Sequence, residues 1–83
     1  MYSLALTGTA VDRNTLPLPF GGGNPSVVLM NATAGDLTVQ ECDTVGGSYT
    51  TVAVVPDTGS IDAKFTKQFV KVSTAAEVWA IQN

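Results

Sequence analysis

Between Leu37 and Val55 the chain reads LTVQECDTVGGSYTTVAVV. Leu37, Val39 and Glu41 alternate with Thr38, Gln40 and Cys42, the period-two pattern of a strand with two unlike faces. DTVGGS (Asp43–Ser48) follows, with Gly46-Gly47 as its turn signal, and YTTVAVV (Tyr49–Val55) returns as a second β-branched run. Val and Thr are stiff at the first side-chain torsion and favour extended backbone. An antiparallel hairpin is the consequence, and helical periodicity is almost absent from the rest of the chain.

The other segments read the same way. YSLALTGTAV (Tyr2–Val11) places Tyr2, Leu4 and Leu6 on one face of a first strand. SVVLMN (Ser26–Asn31) is a continuous apolar run, which predicts a central strand buried on both sides. PDTGS (Pro56–Ser60) is a tight turn. IDAKFTKQFVKVST (Ile61–Thr74) holds a short strand and then a stronger one in which Val70 and Val72 point together. AAEVWAIQN ends in a strand with Trp79 and Ile81 on one face and Val78 and Ala80 on the other. Six or seven short strands at this turn spacing predict an all-β fold, a small antiparallel β-sandwich or jelly-roll-like barrel. Residues 1–83 form a single β domain, with a Pro/Gly-rich connecting loop at 12–25.

A chain of 83 residues buries only about 60–65% of its unfolded surface, so its core is small. Cys42 is the only cysteine and there is no His, which leaves no internal disulfide and no zinc set. Partner subunits or good packing must supply the remaining stability. The lone thiol fits a reducing cytosol, and no secretory signal is visible. The formal charge is −3, with Arg13, Lys64, Lys67 and Lys71 the only bases, so nucleic acid is not an expected partner. The longest apolar run is far below a membrane span, so no membrane is expected either. Only 13% of residues are charged. A surface rich in Thr, Ser, Gly and Ala suits a protein packed against others.

No catalytic, metal or cofactor-binding set emerges, and no small-molecule substrate is expected. FGGGNP (Phe20–Pro25) resembles a phosphate loop in composition alone, because its glycines precede a strand and no Gly-Lys-Ser/Thr opens a helix. It reads as a flexible connector. Asp36, Glu41, Asp43 and Asp57 match no EF-hand spacing, and Asp36, Asp43 and Asp57 fall at turns, where Asp bonds to backbone. Cys42 has no His to activate it. Ser60 and Lys64 would need a helix to meet as a Ser-Lys pair. The aromatic residues Tyr2, Tyr49, Phe65, Phe69 and Trp79 are expected in the core rather than as a stacking platform. Phe20 is the exception. It ends LPLPF (Leu16–Phe20), an apolar stretch inside a proline-rich loop. Either this loop folds back over its own core or it meets another chain; the second is preferred here. The expected interface residues are Leu16, Leu18, Phe20, Tyr2 and Leu4.

VVLMNATAGDLTVQECDTVGGSYTTVAVV (Val27–Val55) resembles a pattern recurrent in small tailed-bacteriophage virion proteins. It has an apolar strand ending in Asn, a short turn, LTVQE with Cys-Asp where Ser-Asp is common, a glycine turn and YTTV. QFVKVST (Gln68–Thr74) is similar to the later aromatic-Val-basic-Val strand of that pattern. The best match is to capsid decoration (cement) proteins, although tail and base-plate modules share the patterning. The resemblance implies a non-enzymatic sandwich on the capsid exterior, made in the host bacterial cytoplasm. Its partner would be the major capsid protein, and it would commonly form a homotrimer. The alternative it leaves is a tail, base-plate or fibre module that binds a receptor or glycan.

Overall fold

The computed structural model describes residues 2–16, 20–21 and 25–82. They form eight strands and one turn of 3-10 helix: β1 (Tyr2–Leu6), β2 (Val11–Asp12), the helical turn (Arg13–Thr15), β3 (Ser26–Asn31), β4 (Leu37–Cys42), β5 (Thr50–Val55), β6 (Ser60–Lys64), β7 (Phe69–Val72) and β8 (Val78–Gln82). Two four-stranded antiparallel sheets pack face to face. The first, sheet A, has the order β1-β8-β3-β6; the second, sheet B, has the order β2-β7-β4-β5. Successive strands alternate between the sheets, except that the β4–β5 hairpin stays within sheet B; this is the wrapping order of a jelly roll, two interlocked Greek keys. The all-β sandwich expected from the sequence is the observed fold, with one strand more than the upper count.

The extra strand comes from the first segment. Tyr2–Val11 is not one strand but two, in different sheets. The chain crosses over at Thr7–Ala10, where the Thr7 carbonyl accepts a hydrogen bond from the Val72 amide (2.8 Å). Gly8 allows the crossing, because a Cβ there would lie 2.9 Å from the Thr74 carbonyl oxygen. β2 also takes the first residue of the connection expected at 12–25, and the helical turn takes the next three. Asp12 caps that turn by accepting from the Asn14 amide (2.9 Å).

The core lies between the sheets. Leu6, Leu29, Val78 and Ala80 of sheet A face Val39, Val55, Val70 and Val72 of sheet B, with Phe65 fully buried at one end. Each comes from an alternating position, and the registers agree: Leu6 opposes Val78, Leu29 opposes Ala80, and Val39 opposes Val72. The predicted face assignments for β1, β4, β7 and β8 all hold. Burying twelve such residues between sheets spaced about 10 Å apart is the main stabilising term.

β3 departs from expectation. It is central, paired with β8 on one side and β6 on the other. Yet its apolar run is covered on one face only: Val27 and Leu29 are buried, while Val28 and Met30 point outward and are exposed. A run of apolar residues does not by itself say whether a second layer exists. Here, in the single chain, it does not.

Candidate interaction surface

Five sheet positions converge on the outer face of sheet A. Trp79 lies between Ala5 on β1 and Met30 on β3. Ile81 lies between Ser3 and Val28, one residue pair further along. Residues opposite one another on antiparallel strands share a face, so Ala5, Trp79, Met30, Ile81 and Val28 make one contiguous apolar strip. Trp79 is 38% exposed and Met30 45% exposed. The strip is rimmed by Ser3 on β1 and by Ser60, Asp62 and Lys64 on β6. A shallow open depression runs along its β6 side, lined by Ser26, Val28, Asp62, Lys64, Ile81 and Gln82. It is a groove on a flat wall rather than an enclosed site.

Trp79 corrects the expectation that the aromatic residues are core. Its neighbours Val78 and Ala80 fill the inward positions of β8, and the pleat turns the indole out. Tyr2, at the end of β1, is 55% exposed. Phe65 is core as expected.

The expected interface in the proline-rich loop needs a larger correction. Phe20 is only 6% exposed and belongs to the core cluster, and Leu16 packs against that cluster. The loop therefore folds back over its own domain at these two residues, the reading that was not preferred. Leu18 lies outside the described residues. Leu4 also turns inward against the core, because it shares a face with Leu6. Of the four expected interface residues that are described, Tyr2 alone has the exposure such a role needs.

What draws the loop back is a polar clamp. Arg13 and Glu41 are the two buried charged residues among those described. The Arg13 guanidinium donates to the Phe20 carbonyl (Nε, 3.0 Å) and the Lys67 carbonyl (2.6 Å), and it stands 5.8 Å from the centre of the Phe65 ring. Glu41 accepts from the Thr66 amide (2.9 Å), the Thr66 hydroxyl (2.7 Å) and the Lys67 amide (3.1 Å). Burial lowers the Arg13 pKa, and the charge of Glu41 acts against that shift. Glu41 is thus a structural anchor for the β6–β7 connection, a role the sequence reading did not assign it. A signal was there to read: Glu41 shares its face with Leu37 and Val39, and a charge on a core face needs partners. Gly21 completes the clamp, since a Cβ would collide with the Leu16 carbonyl and come within 2.9 Å of the Arg13 carbonyl oxygen.

The remaining sequence candidates sit as follows. Asp36 accepts from the Asp57 amide (3.0 Å) and Asp57 from the Gly35 amide (2.9 Å), which is turn chemistry. Asp43 makes a surface ion pair with Lys67 (3.4 Å). Cys42 is buried beside Thr44. Ser60 and Lys64 lie at opposite ends of the extended strand β6. Gly22 and Gly23 of the glycine run lie outside the described residues. No group of three or more His, Cys, Asp or Glu among the described residues could hold a metal. Among the described residues no helix is long and apolar enough to cross a membrane.

Compared with family models, curated proteins and solved structures, the chain matches none.

Proposed function

We propose that the chain is a non-enzymatic virion structural protein, a capsid decoration protein that binds the outer surface of the major capsid protein lattice. The observation that carries this reading is the apolar outer face of sheet A. A monomeric domain gains nothing in its own fold by placing Trp79, Met30, Ile81 and Val28 together on an open wall. A partner surface would cover them. The broad side of the molecule spans 30 by 29 Å, close to the roughly 800 Å² per partner of a standard interface. A large flat neighbour fits that shape. Trp at the centre and Met beside it are residue types enriched in interface cores. Many copies on one shell multiply weak individual contacts through effective concentration.

The sequence resemblance to decoration proteins points the same way, and jelly rolls occur in viral capsid and lectin domains alike. The fold itself leaves function to the surface.

The test is co-sedimentation with assembled phage heads that lack a decoration protein. Saturable binding, weakened at least tenfold by Trp79→Ser with Met30→Ser, is the expected result. Absence of binding to any expanded head, with a folded protein, overturns the reading. One observation favours the alternative module: an exposed indole can stack on a sugar ring. Quenching of Trp79 fluorescence by a soluble glycan, without head binding, would select the receptor- or glycan-binding tail module instead.

A further inference from the structure

The two sheets have four edges, and three of them are protected against pairing with another chain. β2 is two residues long. β5 carries a register shift opposite Val39/Gln40, where Val52 has no partner on β4. Such a bulge twists an edge away from a new strand. β6 presents Asp62 and Lys64 at alternate outward positions. β1 has none of these devices. YSLAL is five residues long, uncharged and free of proline, and it keeps an unbroken register with β8 from Tyr2 to Leu6. Among the described residues, no strand pairs with its other side.

We infer that β1 is a self-association edge, and that its occupant is β1 of a second copy of this chain. Identical strands meeting edge to edge in antiparallel fashion are related by a two-fold axis, so the contact is isologous and closes at two copies. No like charges face each other, because neither edge carries any. The pairing extends sheet A from four strands to eight and puts the two copies of the Ala5–Trp79–Met30 row on one continuous surface. It thereby doubles the apolar wall that one copy presents. This contact goes beyond the decoration reading and does not depend on it. It is also a different assembly from the homotrimer that the resemblance implies: a trimer needs two different complementary patches on each chain, and like edges pair by two.

A five-residue edge is a small interface, so half-dissociation is expected on the order of 10–100 µM protein. The experiment is sedimentation equilibrium of the full chain across that range, with amide hydrogen exchange at both ends of it. The expected mass rises from 8.6 kDa to twice that value, and amides of β1 gain protection as it does. Ser3→Lys places a charge on the exposed edge and should weaken the dimer at least tenfold while circular dichroism and melting stay unchanged. Trp79→Ser should leave the dimer intact, since the wall is not the contact. A monomer up to about 1 mM, tenfold above the expected range, overturns the inference. So does a trimer, a dimer untouched by Ser3→Lys, or one abolished by Trp79→Ser. Should Ser3→Lys fail to fold, the β1 amides of the unaltered chain decide alone: protection unchanged with concentration rejects the edge. Head binding is read separately, so a failed dimer and a failed decoration reading are distinguishable.

Discussion

Gln40 and Trp79 hold equivalent positions. Each points outward from the middle of an inner strand, with a residue on either side in the neighbouring strands. Gln40 on β4 sits between Lys71 and Thr51; Trp79 on β8 sits between Ala5 and Met30. The inward positions next to them are buried on both strands, Val39 and the clamp residue Glu41 on one, Val78 and Ala80 on the other. Packing of the core therefore treats the two sheets as equals. Their outer faces differ. Sheet B shows water Thr38, Gln40, Thr51 and Lys71, with Val54 its one exposed large apolar residue among the strands and Phe69 half-buried at one end. Sheet A shows Trp79, Met30, Ile81 and Val28. Folding explains a polar outer face and not an apolar one. If the proposed function holds, the asymmetry orients the molecule with sheet A toward the partner and sheet B toward solvent.

The largest expected effect tests the half of the comparison in which the sheets are alike. Phe65 is fully buried in the core they share. Phe65→Ala should cost about 3–5 kcal/mol, enough to unfold a domain of this size. A urea titration reads it, and a loss below about 1 kcal/mol would mean that the sheets do not depend on a common core. Next comes the clamp. Glu41→Ala leaves Arg13 buried beside a missing charge and strips three donors of their acceptor. About 3 kcal/mol is expected. Combining it with Arg13→Met should cost less than the two single losses added together, because the groups act as one unit. Strict additivity in that cycle would show the two residues to be independent.

The contrast itself is tested by paired substitutions. Trp79→Ser with Met30→Ser removes side chains that are only partly covered, so about 1–2 kcal/mol of stability should go. Binding to heads should fall at least tenfold. Gln40→Ser with Lys71→Ser changes sheet B at equivalent positions and should leave head binding unaltered. If both pairs weaken binding equally, sheet A has no special role and the orientation argued above is wrong.

How far the sequence foretold this depends on which interactions are local. Alternation fixed the inward residues of β4, β7 and β8 correctly, since the pleat is a local property. The hairpin of β4 and β5 was legible for the same reason. Three features were not. The split of the first strand depends on Gly8 meeting the Thr74 carbonyl, 66 positions away in the chain. Burial of Phe20 depends on Arg13 reaching both its carbonyl and that of Lys67. A loop rich in proline and apolar residues is equally consistent with a lid on its own core and with a partner contact until that long-range bond is seen. The open side of β3 was hidden because an apolar run reads the same whether its second layer belongs to the same chain or to another. That ambiguity is also the strongest hint of function: β3 has the composition of a strand covered twice, and the domain covers it once.

The smallest effect sharpens the contrast from the other side. Lys71 on β7 carries its ammonium 4.7 Å from the centre of the Tyr49 ring. The two residues lie on the outer side of sheet B, where the ring lends a half-covered apolar surface to a charged neighbour and so keeps that face wet. Contacts of this kind contribute about 0.5–1 kcal/mol at exposed sites. Lys71→Ala should lose that much in a thermal melt, and Lys71→Arg should retain it, because a guanidinium can occupy the same ring face. A second consequence follows from the role assigned to sheet B. With the ammonium gone, Tyr49, Val54 and Phe69 are left as apolar residues on a face that has lost its lysine, and solubility at high protein concentration should fall without change in head binding. A Lys71→Ala protein that gained affinity for heads would show that sheet B can also dock once its charge is removed, and that a single lysine, rather than the composition of a whole face, decides which side meets the shell.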